Sequence, residues 1–444
     1  MNHQPLAQQL VKKCLARGAD AAEVFVESAR HLSIAIRNGA VETVEEAATA
    51  GVGLRVIVGG RLAFAHCNDL RPAALDSAVA RAIEFGRVTT ADPSNALPRD
   101  PGVTAVEGIY DPAIAKVAMA SKIDLAQTVE KLAMSDPRIA KSAGANYGEQ
   151  ESEVWLANSN GLAKSYRSSG CGVDVTVVAV KGDLQSPGNE SCARRFFGDL
   201  LPPAEIAGRA AKKALERLDP RPLKTQRAAV LVDPDVVWPI LGGLLAALDG
   251  EAVLQGASFL AGQLGRSVAS GLLTLVDDGT RPRGLASCPF DGEGVPTQKR
   301  TVVAGGVLQG FLYNTIVGQR AGQASTGNAA RDGFGSLPGI GAHNFSMSAG
   351  ATPAADVVKA TRRGLWLKEV TGYGIDAVNG NFSGGAAGLW IENGEVAFPV
   401  RGLTIAGTAR EMLEGIDLVG SEIDLDRHFA APLFRIREMQ IGGE

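Results

Sequence analysis

The sequence predicts an α+β protein in two parts: an N-terminal domain of duplicated helix and antiparallel-meander units, residues 1–222, and a C-terminal strand-rich, barrel-like domain around a buried helix, residues 223–444. Three observations predict it. Short β-branched runs joined by turn dipeptides are flanked by single amphipathic helices. The same order of elements then returns once. Beyond the charged, proline-bearing stretch Leu218 to Gln226 the chain becomes glycine-turned strand with few helices.

The first helix is expected over Leu6 to Ala16, where Leu6, Leu10, Val11 and Cys14 share one face. The runs "AEVFVES", "LSIAIRNGAVETVEEA" and "GVGLRVIVGGRLAFAHC" follow as strands joined by tight turns, with the hairpin dipeptide Asn38-Gly39 among them. Pro72 opens a second helix with Leu75, Ala78, Val79, Ala82 and Ile83 in register. After a weakly patterned, proline-rich segment the order repeats. A helix near Lys122 to Met134 leads into "SAGANYGEQ", "ESEVWLANSNGLAKSYRSS" and "GCGVDVTVVAVKG", and Asn160-Gly161 stands where Asn38-Gly39 stood. Pro202-Pro203 opens the closing helix, with Ile206, Ala210, Ala214 and Leu218 on one face.

In the second half, "RAAVLVDP" is a buried strand, and Asp233-Pro234 caps a helix that is apolar on every side through Leu248, which implies full burial. Glycine-turned strands make up most of the remainder, with one further helix at Thr352-Pro353 that turns Val357, Val358 and Thr361 inward. A closed or nearly closed sheet around the buried helix is the architecture this pattern favours.

Bulk properties narrow the function. The formal charge of −4 comes from interspersed signs, which leaves no footprint for nucleic acid or an anionic membrane. Five scattered cysteines without a C-x-x-C pair fit reduced thiols in a cytoplasmic protein. The N-terminus reads as an amphipathic helix, not a signal peptide. No apolar run is long enough to span a bilayer.

Five histidines, His3, His31, His66, His343 and His428, include no pair spaced for a helical zinc site. His343 and His428 belong to the same half. The carboxylates Asp277-Asp278 and Asp291/Glu293 suit a cation or acid–base work, and equally suit turns in which Asp bonds its own backbone. P-loop, nucleophile-elbow and dinucleotide fingerprints are absent from the sequence. The stretch "STGNAARDGFGSLPG" is the remaining candidate. Thr326, Gly327 and Asn328 leave backbone N–H groups unobstructed, Asn328 tolerates a left-handed conformation, and Arg331 supplies a cationic fork, a set suited to a peptide backbone or carboxylate. The same residues also suit a buried corner in which Asn328 satisfies carbonyls and Arg331 pairs with a carboxylate such as Asp332.

"STGNAAR", "LVDDGT", "FDGEGVPTQKRTVVAGGVLQGFLYN", "GLWIENGEVAFPVRGLTIAGT" and "LFRIREMQIGG" together resemble the TldD/PmbA (TldE) family, formerly described as modulators of DNA gyrase, across nearly the whole chain. The resemblance implies a two-domain protein in a cytoplasmic peptidase assembly acting on unstructured peptides. In the TldD-like branch a helix carries His-Glu-x-x-x-His and a late cysteine completes a zinc site. Here the corresponding positions are Leu244, Leu245 and Asp249, and the tail around His428 has no cysteine. The chain therefore looks like the PmbA/TldE branch: a subunit without its own zinc or catalytic residues, forming a heterodimer with a zinc-bearing TldD-like chain. Thr326, Gly327, Asn328 and Arg331 are then expected to face substrate or the partner. Two alternatives stand beside this: a stand-alone or homodimeric peptide-binding protein, and a metallohydrolase of unusual ligand set drawn from His343, His428, Asp277, Asp278, Asp291 and Glu293.

Overall fold

The computed structural model describes residues 2–444. Its first half runs α1 (Gln4–Ala16), β1 (Ala21–Arg37), β2 (Ala40–Val58), β3 (Arg61–Cys67) and α2 (Pro72–Val88), then α3 (Met119–Ala133), β4 (Ile139–Asn158), β5 (Ala163–Lys181), β6 (Leu184–Arg194) and α4 (Pro203–Glu216). The six strands form one antiparallel sheet in the order β3-β2-β1-β4-β5-β6. Each repeat contributes a three-strand meander, and the two meanders join through β1 and β4 in a pseudo-two-fold arrangement. The Asn38-Gly39 hairpin is as expected: both residues are left-handed, φ 53° and 75°, which matches a turn that follows strand twist. The Glu130 carboxylate of α3 accepts both turn amides, at 3.0 and 2.7 Å.

The strands are longer than the sequence patterns imply. "AEVFVES" and "LSIAIR" are one strand of 17 residues, and β2 runs unbroken for 19 through Gly51 and Gly53. Those glycines do not turn the chain. A Cβ at Gly51 would lie 2.3 Å from the Phe334 ring, and one at Gly53 would lie 2.5 Å from the Phe334 carbonyl, so they make room for another segment on the sheet. β6 carries no strand signal strong enough to register in the sequence. Its Pro187 lies on the sheet edge, where a missing amide is tolerated.

Alternation along β1 sets the layers. Val24, Val26, Leu32, Ile34 and Ile36 face the helices and join two cores, one built with α1 and α2 and one with α3 and α4. Glu23, Phe25 and Glu27 lie at the intervening positions; Phe25 packs with Leu156, Phe290 and Phe334, which places the second half of the chain on this opposite face.

That half contains β7 (Gln226–Val232), α5 (Trp238–Ala247), α6 (Gly250–Leu254), β8 (Leu275–Asp278), β9 (Lys299–Ala304), β10 (Val307–Leu308), α7 (Thr315–Arg320), β11 (Ala329–Ala330), β12 (Gly339–Ile340) and β13 (Phe345–Met347). It continues with α8 (Ala354–Lys359), β14 (Arg363–Thr371), β15 (Asn381–Glu392), β16 (Glu395–Thr408), α9 (Ala409–Glu414), β17 (Ile416–Val419), β18 (Phe429–Ala430) and β19 (Phe434–Gly442). Strands β16, β15, β14, β7 and β19 pair in sequence, and β19 pairs back to β16, closing a five-strand barrel. A second sheet has the order β10-β9-β8-β13-β18. Ile240, Leu241, Leu244 and Ala247 of α5 share one core with barrel residues Val230, Leu365 and Ile405 and with Val302 and Phe345 of the second sheet.

Helix α5 is not buried all round. Trp238 is 59 % exposed and Ala246 also faces outward. An apolar helix reads as buried from composition alone, whereas this one lies at the boundary of its core. Asp233-Pro234 opens a short 3-10 turn, with Asp233 accepting the Asp235 amide, and α5 proper begins only at Trp238. On α8, Val357 is buried and Val358 packs on Leu231 and Ile391, as the pattern predicts, while Thr361 is buried just past the helix end. Among the described residues, no helix is long and apolar enough to cross a membrane.

Candidate functional site

The Ser325–Gly339 loop leaves α7, forms the two-residue ladder of β11 with β12, and extends its tip onto the first sheet. Its left-handed residues are Gly327 (φ 74°) and Gly333 (φ 85°), not Asn328, and a Cβ at Gly327 would lie 2.5 Å from the Pro296 carbonyl. Thr326 Oγ1 accepts the Tyr313 amide at 2.8 Å and bonds Asn328 Oδ1 at 2.7 Å. Asn328 Nδ2 donates to Asp277 Oδ2 at 2.6 Å and to the Gly341 carbonyl at 2.9 Å. The Ala329 amide donates to Asp291 Oδ2 at 2.9 Å.

Arg331 has a side chain only 3 % exposed. It donates from Nε to the Gly292 carbonyl at 2.7 Å, from Nη1 to the Ser336 carbonyl at 2.8 Å and from Nη2 to Glu23, and its guanidinium lies 4.9 Å from the centre of the Phe25 ring. Its carboxylate partner is thus 308 positions away and is not the neighbouring Asp332. The structure corrects the expectation of an outward-facing set. Thr326, Gly327 and Asn328 are buried and the Arg331 fork points inward, because each polar group has a partner within the fold.

Glu23 also pairs with Arg55 at 2.7 Å, and Arg55 pairs with Glu293 at 2.6 Å, in a chain of charges that joins the first sheet to the second half. Glu293 Oε2 accepts the Thr315 amide at 2.7 Å. Burial opposes ionisation of Glu293, but Arg55 and Thr315, whose amide it accepts, outweigh it and hold the carboxyl below its usual range. Asp291 behaves oppositely: burial, then the Glu293 charge, push it up to about 7 against the amide donors of Ala329, Glu293 and Val295. Its Oδ1 accepts the amides of Glu293 and Val295, both at 2.9 Å, which is the turn chemistry the sequence indicates.

A second cluster forms around Asp277. Its Oδ1 accepts the His343 amide at 2.7 Å, and its Oδ2 lies 3.4 Å from His343 Nδ1. Burial opposes protonation of His343, yet Asp277 and the nearby Cys288 outweigh it and raise the imidazole to about 10. His428 packs edge-on against Phe429 at 4.7 Å, and burial lowers its imidazole below the usual value. The structure therefore joins His343 with Asp277 but not His428, whereas Glu293 belongs to the Arg55 chain and Asp291 is held by backbone amides. Asp278 binds the Thr280 amide and hydroxyl at 3.0 and 2.8 Å. Of the other histidines, His3 packs on Trp155, His66 lies near Phe64 and Phe334, and His31 lines a cavity on the sheet. Among the described residues, no three or more His, Cys, Asp or Glu side chains are grouped to hold a metal ion.

The sign of the His343 effect sets a pH window. Folding raises this group above its unfolded value of 6.5, so its contribution is whole below that pH and is lost as pH rises through about 10. His343→Asn is expected to lower the denaturation midpoint most at about pH 6 and least at about pH 10.5. Urea titrations of both proteins at the two pH values check this, and a gap that widens with pH contradicts it.

Residues 22–84 match the PmbA/TldA metallopeptidase domain 1, residues 112–218 its central domain and residues 225–443 its C-terminal domain. Metalloprotease PmbA of Escherichia coli O157:H7 is 31 % identical over 437 residues, 97 % of this chain and 94 % of that protein. The chain belongs to the PmbA/TldD family. A metalloprotease PmbA homolog of Haemophilus influenzae is 30 % identical over 427 residues, 95 % of this chain and 92 % of that one. The crystal structure of TldE from Thermococcus kodakarensis superposes with a TM-score of 0.90 at 24 % identity, covering 98 % of this chain and 99 % of that one, a likeness of fold.

The positions that the sequence reading sets against a zinc motif, Leu244, Leu245 and Asp249, lie on and after α5. Leu244 is part of the core and Leu245 packs against it. Asp249 caps α6, its Oδ1 accepting the Glu251 amide at 2.7 Å and the Ala252 amide at 3.4 Å. These positions offer one carboxylate, already committed to backbone amides, and no second donor. They do not fit a zinc ion.

Proposed function

We propose that this chain is the subunit of a TldD/TldE-type zinc metallopeptidase complex that contributes no zinc ligands or catalytic residues of its own and helps enclose an unstructured peptide beside a TldD-like partner. The observation that supports this most directly is the fate of α5. A catalytic zinc needs protein ligands, an open coordination position and a base for the bound water. Leu244 and Leu245 are apolar packing residues and Asp249 is a helix cap. Similarity along the whole length to proteins named metalloprotease PmbA supports the same reading. In it, the zinc resides in the partner, the assembly is a cytoplasmic heterodimer, and Trp238 on the open flank of α5 offers an apolar contact.

The test is hydrolysis of an unstructured peptide by this chain alone, by a TldD-like chain alone and by the two together, each with and without chelator. Cleavage is expected to need the TldD-like chain, to rise when this chain is added and to stop with chelator. Chelator-sensitive cleavage by this chain alone overturns the proposal. Peptide binding without complex formation favours the stand-alone binding protein instead.

A further inference from the structure

Strand β2 is paired on both sides for only part of its length. Val52–Val58 lie between β1 and β3, whereas residues 40–50 pair with β1 alone. No other backbone bond or bridge reaches them. Every residue from Ala40 to Thr49 is exposed, so neither face of this stretch nor its outer edge is covered. A bare edge of this length, about 33 Å of extended chain, is a template for a further strand. It carries none of the lysines or prolines that commonly blunt such an edge, and Val41, Thr43, Val44 and Thr49 are β-branched. Its far end is fixed: Glu130 of α3 accepts the Asn38 and Gly39 amides, and Gln127 donates to the Gly39 carbonyl at 2.8 Å.

The duplicated repeat shows what covers the matching edge. In the second meander β5 pairs with β6 only from Cys171 onward, which leaves residues 163–170 in the position of residues 44–51. There the chain's own segment 100–111 closes the edge. The Ser169 amide donates to the Ile109 carbonyl at 3.0 Å, Arg167 lies 4.2 Å from the centre of the Tyr110 ring, and Lys164 reaches the Gly102 carbonyl and, at 2.9 Å, Asp100. The first repeat has no such segment. The repeats also agree on which amides point outward. Both outer hairpins close on two-residue turns, at Val58↔Arg61 and Lys181↔Leu184, and Ala50 stands two residues before Val52 as Ser169 stands two before Cys171. With a period of two, the amides of Ala50, Ala48 and Glu46 face the open side.

Charge narrows the occupant. Residues 40–50 hold Glu42, Glu45 and Glu46 and no basic residue. Glu46 pairs with Arg30 at 2.7 Å and Glu42 with Arg37 at 3.2 Å, whereas Glu45 forms no ion pair among the described residues. A second copy of this chain is a poor fit. Antiparallel self-pairing about Val44 opposes Glu42 to Glu46, and pairing about Glu45 or Glu46 opposes that glutamate to its own copy, and like charges directly opposite one another destabilise a sheet.

We propose that the bare edge of β2 docks an extended, positively charged polypeptide segment, which adds to the first sheet as a strand in line with β3. Main-chain bonds to the outward amides and carbonyls supply affinity, and the glutamates select basic side chains. The proposal does not rest on the peptidase assignment, because binding is read on this chain alone.

The test uses the whole chain and a fluorescein-labelled decapeptide of alternating lysine and threonine, followed by fluorescence anisotropy. Two further peptides are compared with it: one with glutamate in place of lysine, and the lysine peptide N-methylated at its two central residues, which blocks both of its edges at unchanged charge. The lysine peptide is expected to bind at least about tenfold more tightly than either. Ala48→Pro removes an outward amide without touching the β1 ladder, so it is expected to abolish binding and leave the urea midpoint close to that of the wild type. Glu45→Lys is expected to reduce the preference for lysine over glutamate. The peptide comparison is made on the unaltered protein, so a variant that fails to fold leaves the proposal falsifiable. Absence of binding, equal binding of the N-methylated peptide, or full binding by a folded Ala48→Pro chain overturns it. So does a dimer in sedimentation that Ala48→Pro dissociates, since a second copy would then hold the edge.

Discussion

Replacing Arg55 with methionine is expected to destabilise the protein by about 3–5 kcal/mol, because the substitution removes one member of a buried ionic chain and leaves its partners behind. Arg55 is 1 % exposed and Glu293 is 0 % exposed, so neither solvent nor salt can compensate. The two carboxylates suffer unequally. Glu23 keeps Arg331 as a partner, whereas Glu293 keeps only the Thr315 amide. Arg55→Met combined with Glu293→Gln restores the charge balance and is expected to recover a substantial part of the loss. Urea midpoints of the wild type, the single variant and the double variant measure this, and a double variant no more stable than the single one refutes the account. Because the chain of charges crosses from β2 to the segment before β9, the single variant is also expected to loosen the contact between the first sheet and the second half.

The same ionic chain marks the limit of what the sequence discloses. Local chemistry is legible. Asn38-Gly39 forms its hairpin, Pro72 and Pro203 lie in the first turns of their helices, and the repeated order of elements reappears as two meanders in one sheet. Asp291 makes the turn contacts its Asp-Gly context indicates. What the sequence conceals is pairing between distant segments. Nothing near Arg331 names Glu23, and nothing near Arg55 names Glu293, 238 positions away. The glycines of β2 look like breakers until Phe334 is placed against them. The loop of Thr326, Asn328 and Arg331 reads as a binding surface because its residue types are those that bind peptides. In the fold the same donors are used to hold Asp277, Gly341 and Glu23.

Gly327→Ala is expected to be among the most damaging single-methyl additions to this protein, at about 2–5 kcal/mol, combining left-handed strain with a steric conflict. The backbone there has φ 74°, and the new Cβ would lie 2.5 Å from the Pro296 carbonyl oxygen, a backbone atom that no rotamer change relieves. Pro296 is followed directly by Thr297, which ties Gly279 to Cys288, so a shift at Gly327 is transmitted to the segment that carries Cys288. Gly322 supplies a matched control five positions earlier: its φ is 66° and its Cβ would meet nothing within 4 Å. Gly322→Ala therefore incurs the conformational strain alone, about 1–2 kcal/mol. The difference between the two variants, read from urea midpoints under one condition, isolates the cost of the close approach. Equal losses would mean that the Pro296 segment yields freely, and Thr326 and Asn328 would then not be held rigidly against Asp277.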